Sequence, residues 1–320
     1  MGFDVKDIAG FSEPAKKLIE VVSSGIGSIF RPRSMRGEAD AKAYEIRAIA
    51  AAEADANVMK ASGQVRAELE RINALAGEDS EIVCRAKMRL LSREIEGQMN
   101  VEAIAEHALL RLPGNVSDQP VSNDWKRRFF IGAENICDSD LQLLWGKVLA
   151  GEVATPGSYS LRTLEVLKHL SKEEAELFRI ACSLAFTNGW ILKVGQDVNT
   201  LFEPYGLTYS GLLSLRDAGL IYEGDNLQKI FMLEAMPSFV LENNGQLIQL
   251  SGTPQPKLNL PAVPFTRAGL ELQNLIEPNV CMPYLHSAAI YLRQRGFTVK
   301  KASINNDSSG QNIISFDEDL

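Results

Sequence analysis

Apolar positions recur with a helical period through the first 110 residues of the chain. Eight of them between residues 3 and 30 follow the 3.6-residue repeat, with charged side chains on the opposite face. Pro14 suits the first turn of a helix, and Ser12 precedes it as the candidate N-cap. The pattern predicts an amphipathic helix within an N-terminal arm, residues 1–37.

Residues 38–111 are predicted to form a long helical hairpin. The first half is built from strong helix formers, and nine of the eighteen residues from Ala39 to Ala56 are alanine. The second half carries an irregular apolar stripe made of Ile82, Met88, Leu91, Ile95, Met99, Ile104 and Leu109. Small side chains allow another helix to approach closely, so we expect a homo-oligomer formed through these helices. A solvated monomeric helix is the alternative.

The remainder of the chain has shorter elements. Residues 112–123 contain two prolines and a glycine and are predicted to be a linker. Residues 124–187 are predicted to be a helical subdomain in which Ser171 and Glu174 form a capping box. Residues 188–302 combine a helix near 208–218 with a hairpin turn at Asn244-Gly245, which is the outline of a winged helix.

Two segments are predicted to have no regular structure. Four prolines between Pro254 and Pro264 indicate an extended surface connector, and the polar tail, residues 303–320, indicates disorder. The expected fold class is therefore α+β and mainly α. It consists of a long-helix hairpin, a helical subdomain and a winged-helix-like module.

Composition excludes several classes of protein. The 320 residues carry 33 basic and 41 acidic side chains, a net charge of −8, which disfavours nucleic acid as a partner of the whole molecule. The sequence has no signal-peptide pattern and no apolar run of the length that spans a membrane, so we expect a cytoplasmic protein. Its four cysteines are far apart, and we predict neither a disulfide framework nor a metal site.

The N-terminal arm offers one candidate contact surface. Its apolar stripe ends in a cluster of arginines, a chemistry that suits either an anionic membrane surface or a protein partner. The residues assigned to this surface are Phe11, Leu18, Val22, Ile26, Phe30, Arg31 and Arg33. The alternative is that the same stripe packs into the protein core. If the stripe contacts a membrane, the protein lies peripherally at the inner membrane.

A second candidate surface is the basic run Lys126, Arg127 and Arg128, which is flanked by aromatic residues. Such a run can contact phosphates while the aromatic rings stack on bases. The alternative is a helix whose charges are solvated and whose aromatic residues are buried. From Thr208 to Leu260 there are only three bases against five acids, so a protein partner suits the winged-helix-like module better than DNA does.

The central region resembles a bacterial family called "domain of unknown function 2806". The resemblance is carried by Trp125, by Leu144-Trp145-Gly146-Lys147 with Leu149-Ala150-Gly151-Glu152, and by Pro156-Gly157-Ser158-Tyr159-Ser160. It extends to Arg31-Pro32 and to Phe265-Thr266-Arg267-Ala268-Gly269-Leu270, and hence over most of the chain. The family implies no activity. A distant likeness to abortive-infection proteins points towards antiphage defence.

These observations favour a non-enzymatic oligomeric scaffold or effector, in antiphage defence, with no catalytic residue and no cofactor assigned. The alternative is a nucleic-acid-binding regulator that uses the winged-helix-like module and the basic run. An enzyme whose active-site residues are dispersed along the sequence is the third hypothesis, because such groups converge only in the fold.

Overall fold

In a computed structural model the protein is mixed α+β. The structure describes residues 12–27, 30, 81–195, 200–222, 224, 226–233, 238–253, 256–306 and 312–320. The described helices are α1 (Glu13–Ile26), α2 (Glu81–Leu109), α3 (Asn123–Ala133), α4 (Ser139–Ala154), α5 (Leu161–His169), α6 (Lys172–Leu184), α7 (Tyr209–Asp217), α8 (Arg267–Gln273) and α9 (Met282–Gln294). The strands are β1 (Trp190–Leu192), β2 (Gln228–Met232), β3 (Ser238–Asn243), β4 (Gln246–Ser251), β5 (Lys257–Pro264), β6 (Thr298–Asn306) and β7 (Asn312–Asp319).

The chain divides into two compact units, residues 1–164 and 165–320, with the boundary inside α5. The predicted linker, residues 112–123, joins α2 to α3 within the first unit. Val121 in the segment is buried, and Ser117 donates its backbone N–H to the carbonyl of Ala154 at 2.8 Å. The predicted helical subdomain, 124–187, is accordingly split, with α3 and α4 in the first unit and α6 in the second.

The first unit packs its helices around a cluster of aromatic rings. Trp125 stacks on Phe129 with ring centroids 4.8 Å apart, and Phe129 lies 5.0 Å from the ring of Trp145. Close helix packing there depends on glycine, because a Cβ at Gly132 would come within 2.4 Å of the Trp145 ring. Trp145 is buried, so the motif tryptophan is a core residue.

Capping residues precede several of the described helices. Ser12 occupies the predicted N-cap position of α1 without a side-chain capping hydrogen bond, and Pro14 lies in the first turn as predicted. Ser171 and Glu174 form the capping box of α6, and the Thr266 hydroxyl accepts the Gly269 N–H at the start of α8. The first arm of the predicted hairpin, residues 38–80, lies outside the described residues. The second arm is α2.

The second unit contains two antiparallel sheets, with strand orders β1-β5-β2 and β3-β4-β6-β7. The Asn244-Gly245 turn joins β3 to β4 as predicted, with positive φ at both residues. Trp190 packs against Phe186 and Phe231 with ring centroids 4.8 and 5.7 Å away. The core of this unit thus lies on the β1-β5-β2 sheet.

Two predictions about this unit were wrong. Residues 257–264 form the central strand β5 and not a surface connector, since the proline carbonyls still accept hydrogen bonds. Lys193 and Tyr222 donate their backbone N–H groups to Pro261 and Pro264 at 3.0 and 2.9 Å. Within the tail predicted to be disordered, residues 312–319 form β7, which pairs with β6 and brings Asp319 opposite Lys300.

Candidate interaction surface

Helix α2 has two faces with different environments. The inner face carries Gly97, Val101 and Ile104, all buried. A Cβ at Gly97 would lie 3.3 Å from the Glu134 side chain at the end of α3, and the Ile104 carbonyl lies 3.0 Å from where Gly146 of α4 would carry its Cβ. This side of the helix is therefore fixed against α3 and α4.

The opposite face carries an apolar row that we call the outer seam: Met88, Leu91, Ile95 and Met99. Their spacings of three, four and four residues place them along one side of a helix. Ile95 is two residues from Gly97, or about 200° around the helix axis, so the row points away from α3 and α4. Met88 is 70% exposed and Met99 49% exposed, while Leu91 and Ile95 are half-buried.

Charge changes sign along the same helix. Residues 85–93 contain four basic side chains and no acidic one, whereas residues 94–106 contain four acidic side chains and no basic one. The change falls between Arg93 and Glu94, in the middle of the outer seam. Glu94 also raises the pKa of Glu134, after burial as the larger cause, while Arg93 opposes that rise.

The basic run 126–128 lies on α3 with its aromatic neighbours buried. Lys126 donates a hydrogen bond to the Ser24 hydroxyl at 3.1 Å, and the Arg128 guanidinium is 3.6 Å from the Asp124 carboxylate. Arg127 is exposed, while Phe129 and Trp125 are core residues. The arrangement matches the alternative in which the charges are solvated and the rings pack inside, so the rings are not available to stack on bases.

The N-terminal contact surface is corrected in part. Leu18, Val22 and Phe30 are buried inside the first unit, so they are not available to a membrane or a partner. Leu18 and Val22 are buried because α1 packs on α3 and α4. Ile26 is half-buried. Phe11, Arg31 and Arg33 lie outside the described residues.

A cavity of about 590 Å³ opens between α1 and residues 114–121. Lys17 spans it and donates to the carbonyls of Ser117 and Gln119, the latter at 2.9 Å. Burial lowers the pKa of Lys17, and the neighbouring carboxylates of Asp118 and Glu20 oppose that shift. Lys17 therefore fastens the 114–121 segment to α1. The mixture of charges around the cavity selects no ligand class.

A buried carboxylate supports the Pro-Gly-Ser loop. Glu152 is 2% exposed, and its two oxygens accept the backbone N–H groups of Gly157 at 2.7 Å and Tyr159 at 3.1 Å. The Tyr159 carbonyl in turn accepts the Trp125 indole N–H at 2.9 Å. These motif residues therefore hold the loop against the aromatic core of the first unit.

In the second unit, Tyr284 has a comparable role. Its buried hydroxyl accepts the Leu192 N–H at 2.8 Å and donates to the Leu192 carbonyl at 3.1 Å, which fixes α9 to the end of β1. Asn243 donates to the Ala185 carbonyl at 2.8 Å. Both buried polar groups therefore hold backbone together.

Within the part of the chain that the structure describes, no three metal-ligating side chains are grouped so that they could hold an ion. No helix among those residues combines the length and apolar character needed to cross a bilayer.

The outer seam was not predicted from the sequence. There, Met88, Leu91, Ile95 and Met99 belong to a single apolar stripe with Ile104, and only the structure separates that stripe into an inner and an outer face.

Comparison with known proteins gives one family. Residues 84–288 match the family described as "Protein of unknown function (DUF2806)". Neither curated proteins nor solved structures gave a match. The match begins within α2 and ends within α9, so it includes the outer seam and parts of both units.

Proposed function

This chain belongs to the DUF2806 family, and from that premise we propose that it is a non-enzymatic scaffold that associates with itself through the outer seam of α2. The observation that carries the proposal is the exposure of Met88 and Met99 on a helix whose inner face is already packed. The buried polar groups Glu152, Asn243 and Tyr284 support a structural role, since each holds backbone groups in place.

Exposed apolar side chains are common singly, but a row of four at helical spacing is typical of a helix that packs on another. The four side chains extend over about three turns of α2, a span of about 17 Å. Burying such a row against an equivalent row removes apolar surface from water on both helices, at about 25 cal/mol per Å². A contact this short favours weak association that depends on protein concentration.

The experiment is a measurement of molecular mass in solution for the full chain. Light scattering after gel filtration, at loading concentrations from about 1 to 100 μM, should show self-association that strengthens with concentration. The double substitution Met88→Glu, Met99→Glu should shift the protein to monomer, because it buries carboxylates in the seam.

The matched control is Ile82→Glu. Ile82 is 60% exposed on the same helix but lies outside the outer seam, so its substitution should leave the mass distribution unchanged. Helical content from circular dichroism should be the same in all three proteins. A wild-type chain that is monomeric at every concentration, or a double variant that associates as wild type does, contradicts the proposal.

For the second unit we propose a winged-helix module that binds protein. Helix α6, strand β1, helix α7 and then strands β2 and β5, in the sheet order β1-β5-β2, support that assignment. Tyr209 on α7 and Tyr222, five residues after its end, are both exposed, and Arg216 is engaged with Asp217 at 2.9 Å. Exposed tyrosines near a neutral helix suit a protein partner.

The nucleic-acid alternative requires cations that are free to meet phosphates. Filter binding of duplex DNA at low salt tests it, since retention that weakens steeply with added salt would support it.

Contact of the N-terminal arm with anionic membrane stays a prediction, which co-sedimentation with anionic liposomes tests. A role in antiphage defence also stays a prediction, which plaque counts on cells with and without the gene test.

A further inference from the structure

We infer that two copies of the chain pair through α2 in an antiparallel, two-fold arrangement, with Met88 of each copy facing Met99 of the other. The inference rests on the proposed self-association and adds the partner, its orientation and its register. It is carried by two patterns on α2 that are independent of each other, the apolar row and the order of charges.

The apolar row has its own midpoint. Met88 and Met99 are its ends, and the midpoint between them falls between residues 93 and 94. When two such helices lie antiparallel about an axis at that point, Met88 faces Met99, and Leu91 faces Ile95 to within one residue. Every apolar side chain of the row then meets an apolar side chain of the second copy, as a two-fold interface requires.

The charge order gives the same axis. Basic side chains occupy residues 85–93 and acidic ones 94–106, so the sign changes between residues 93 and 94. An antiparallel pair about this point lays residues 85–93, with their four bases, along residues 94–102 of the other copy, which carry the exposed acids Glu94 and Glu96 and the buried Glu102. A parallel pair lays base along base and acid along acid, which is unfavourable.

Individual positions agree with this register. Arg89 and Glu96 are seven residues apart, or two helical turns, so they border the outer seam on the same edge. In antiparallel helix pairs each edge meets the same edge of the other helix. Their midpoint falls between residues 92 and 93, one residue from the axis, so Arg89 of one copy lies within two residues of Glu96 of the second copy, about 3 Å along the helix, and the two-fold axis repeats the pair.

The orientation sets the stoichiometry. A two-fold contact uses the same patch on both copies and leaves no further patch open, so the outer seam produces a dimer and not a ring or filament. Because opposite charges border a short apolar contact, the dimer should also dissociate more readily as salt is added.

The test uses two variants that differ only in the sign of one charge. Met88→Glu, Met99→Lys places glutamate opposite lysine in the antiparallel register, whereas Met88→Glu, Met99→Glu places glutamate opposite glutamate. We expect the first variant to remain dimeric and the second to have a dimer dissociation constant raised by about a hundredfold or more. Molecular mass in solution at about 0.1 M salt is the measurement.

Mixing supplies the folding control. Met88→Lys, Met99→Lys should be monomeric alone, and an equimolar mixture with Met88→Glu, Met99→Glu should restore the dimer, which requires both variants to be folded. If both the Glu/Lys and the Glu/Glu variants are monomeric while the mixture dimerises, the copies are parallel and the inference is overturned, although self-association stands. If all variants associate as wild type does, the outer seam is not the interface and the proposed function fails with it.

Discussion

Replacing Glu152 by alanine tests whether the motif carboxylate is structural. The side chain is buried, and its oxygens accept the Gly157 and Tyr159 N–H groups at 2.7 and 3.1 Å. A hydrogen bond to a charged group contributes about 1.5–3 kcal/mol, and a buried donor left without a partner costs a similar amount. Two such donors are stranded in the variant, so Glu152→Ala should lower the free energy of unfolding of the first unit by about 3–5 kcal/mol.

Glu152→Gln should cost less, about 1–3 kcal/mol, because one amide oxygen remains to accept one of the two N–H groups. Urea denaturation followed by tryptophan fluorescence measures the loss, since Trp125 and Trp145 both lie in the first unit. Hydrogen exchange supplies a local readout, in which the amides of Gly157 and Tyr159 lose protection before the rest of the unit does.

Glu81→Ala is the matched control. Its side chain is 85% exposed and is 3.5 Å from Arg85 one turn away, so its loss should change the free energy of unfolding by about 0.5 kcal/mol or less. If Glu152→Ala were as stable as this control and the two amides kept their protection, Glu152 would not be holding the loop. The motif would then require a different explanation.

Gly132→Ala should lower the melting temperature of the first unit by an amount that corresponds to about 1–3 kcal/mol, since the added Cβ would be 2.4 Å from the Trp145 ring. Gly114→Ala, with open space around the new Cβ, is its control and should melt as wild type does. Tyr284→Phe should destabilise the second unit by about 1–3 kcal/mol in urea, because the Leu192 N–H loses its partner. Burial raises the pKa of Tyr284, so the neutral phenol is favoured in the folded state. The wild type should therefore lose stability as pH rises above about 10, where the unfolded chain ionises, and the Phe variant should lose less over the same range.

Local signals predicted much of the fold. Ser12 with Pro14, the Ser171–Glu174 capping box and the Asn244-Gly245 turn each specify backbone geometry within a few residues, and each was confirmed. The family resemblance was confirmed over residues 84–288. These features could be predicted because the atoms that make the interaction are neighbours in sequence.

The elements that the sequence did not reveal depend on distant partners. Prolines at 261 and 264 indicated a connector, yet β5 is the central strand, because β1 and β2 pair with it on either side and the N–H groups of Lys193 and Tyr222 bind carbonyls that proline keeps. The tail forms β7 because β6 lies beside it, with Lys300 opposite Asp319. The boundary between units could not be placed at 112–123 because the packing of α2 on α4 crosses that segment.

Helix α2 shows why an interaction surface is harder to predict than a core. Its apolar residues form an irregular stripe in sequence, and periodicity assigns them all to one buried face. The structure separates them, since Ile104 is buried against neighbouring helices while Met88 is exposed on the other side. Amphipathic spacing indicates that a side chain packs against apolar groups. It does not indicate whether those groups belong to the same molecule. On α2 the order of the charges, with bases before acids, is the further observation from which we infer that the neighbour is a reversed copy of the same helix.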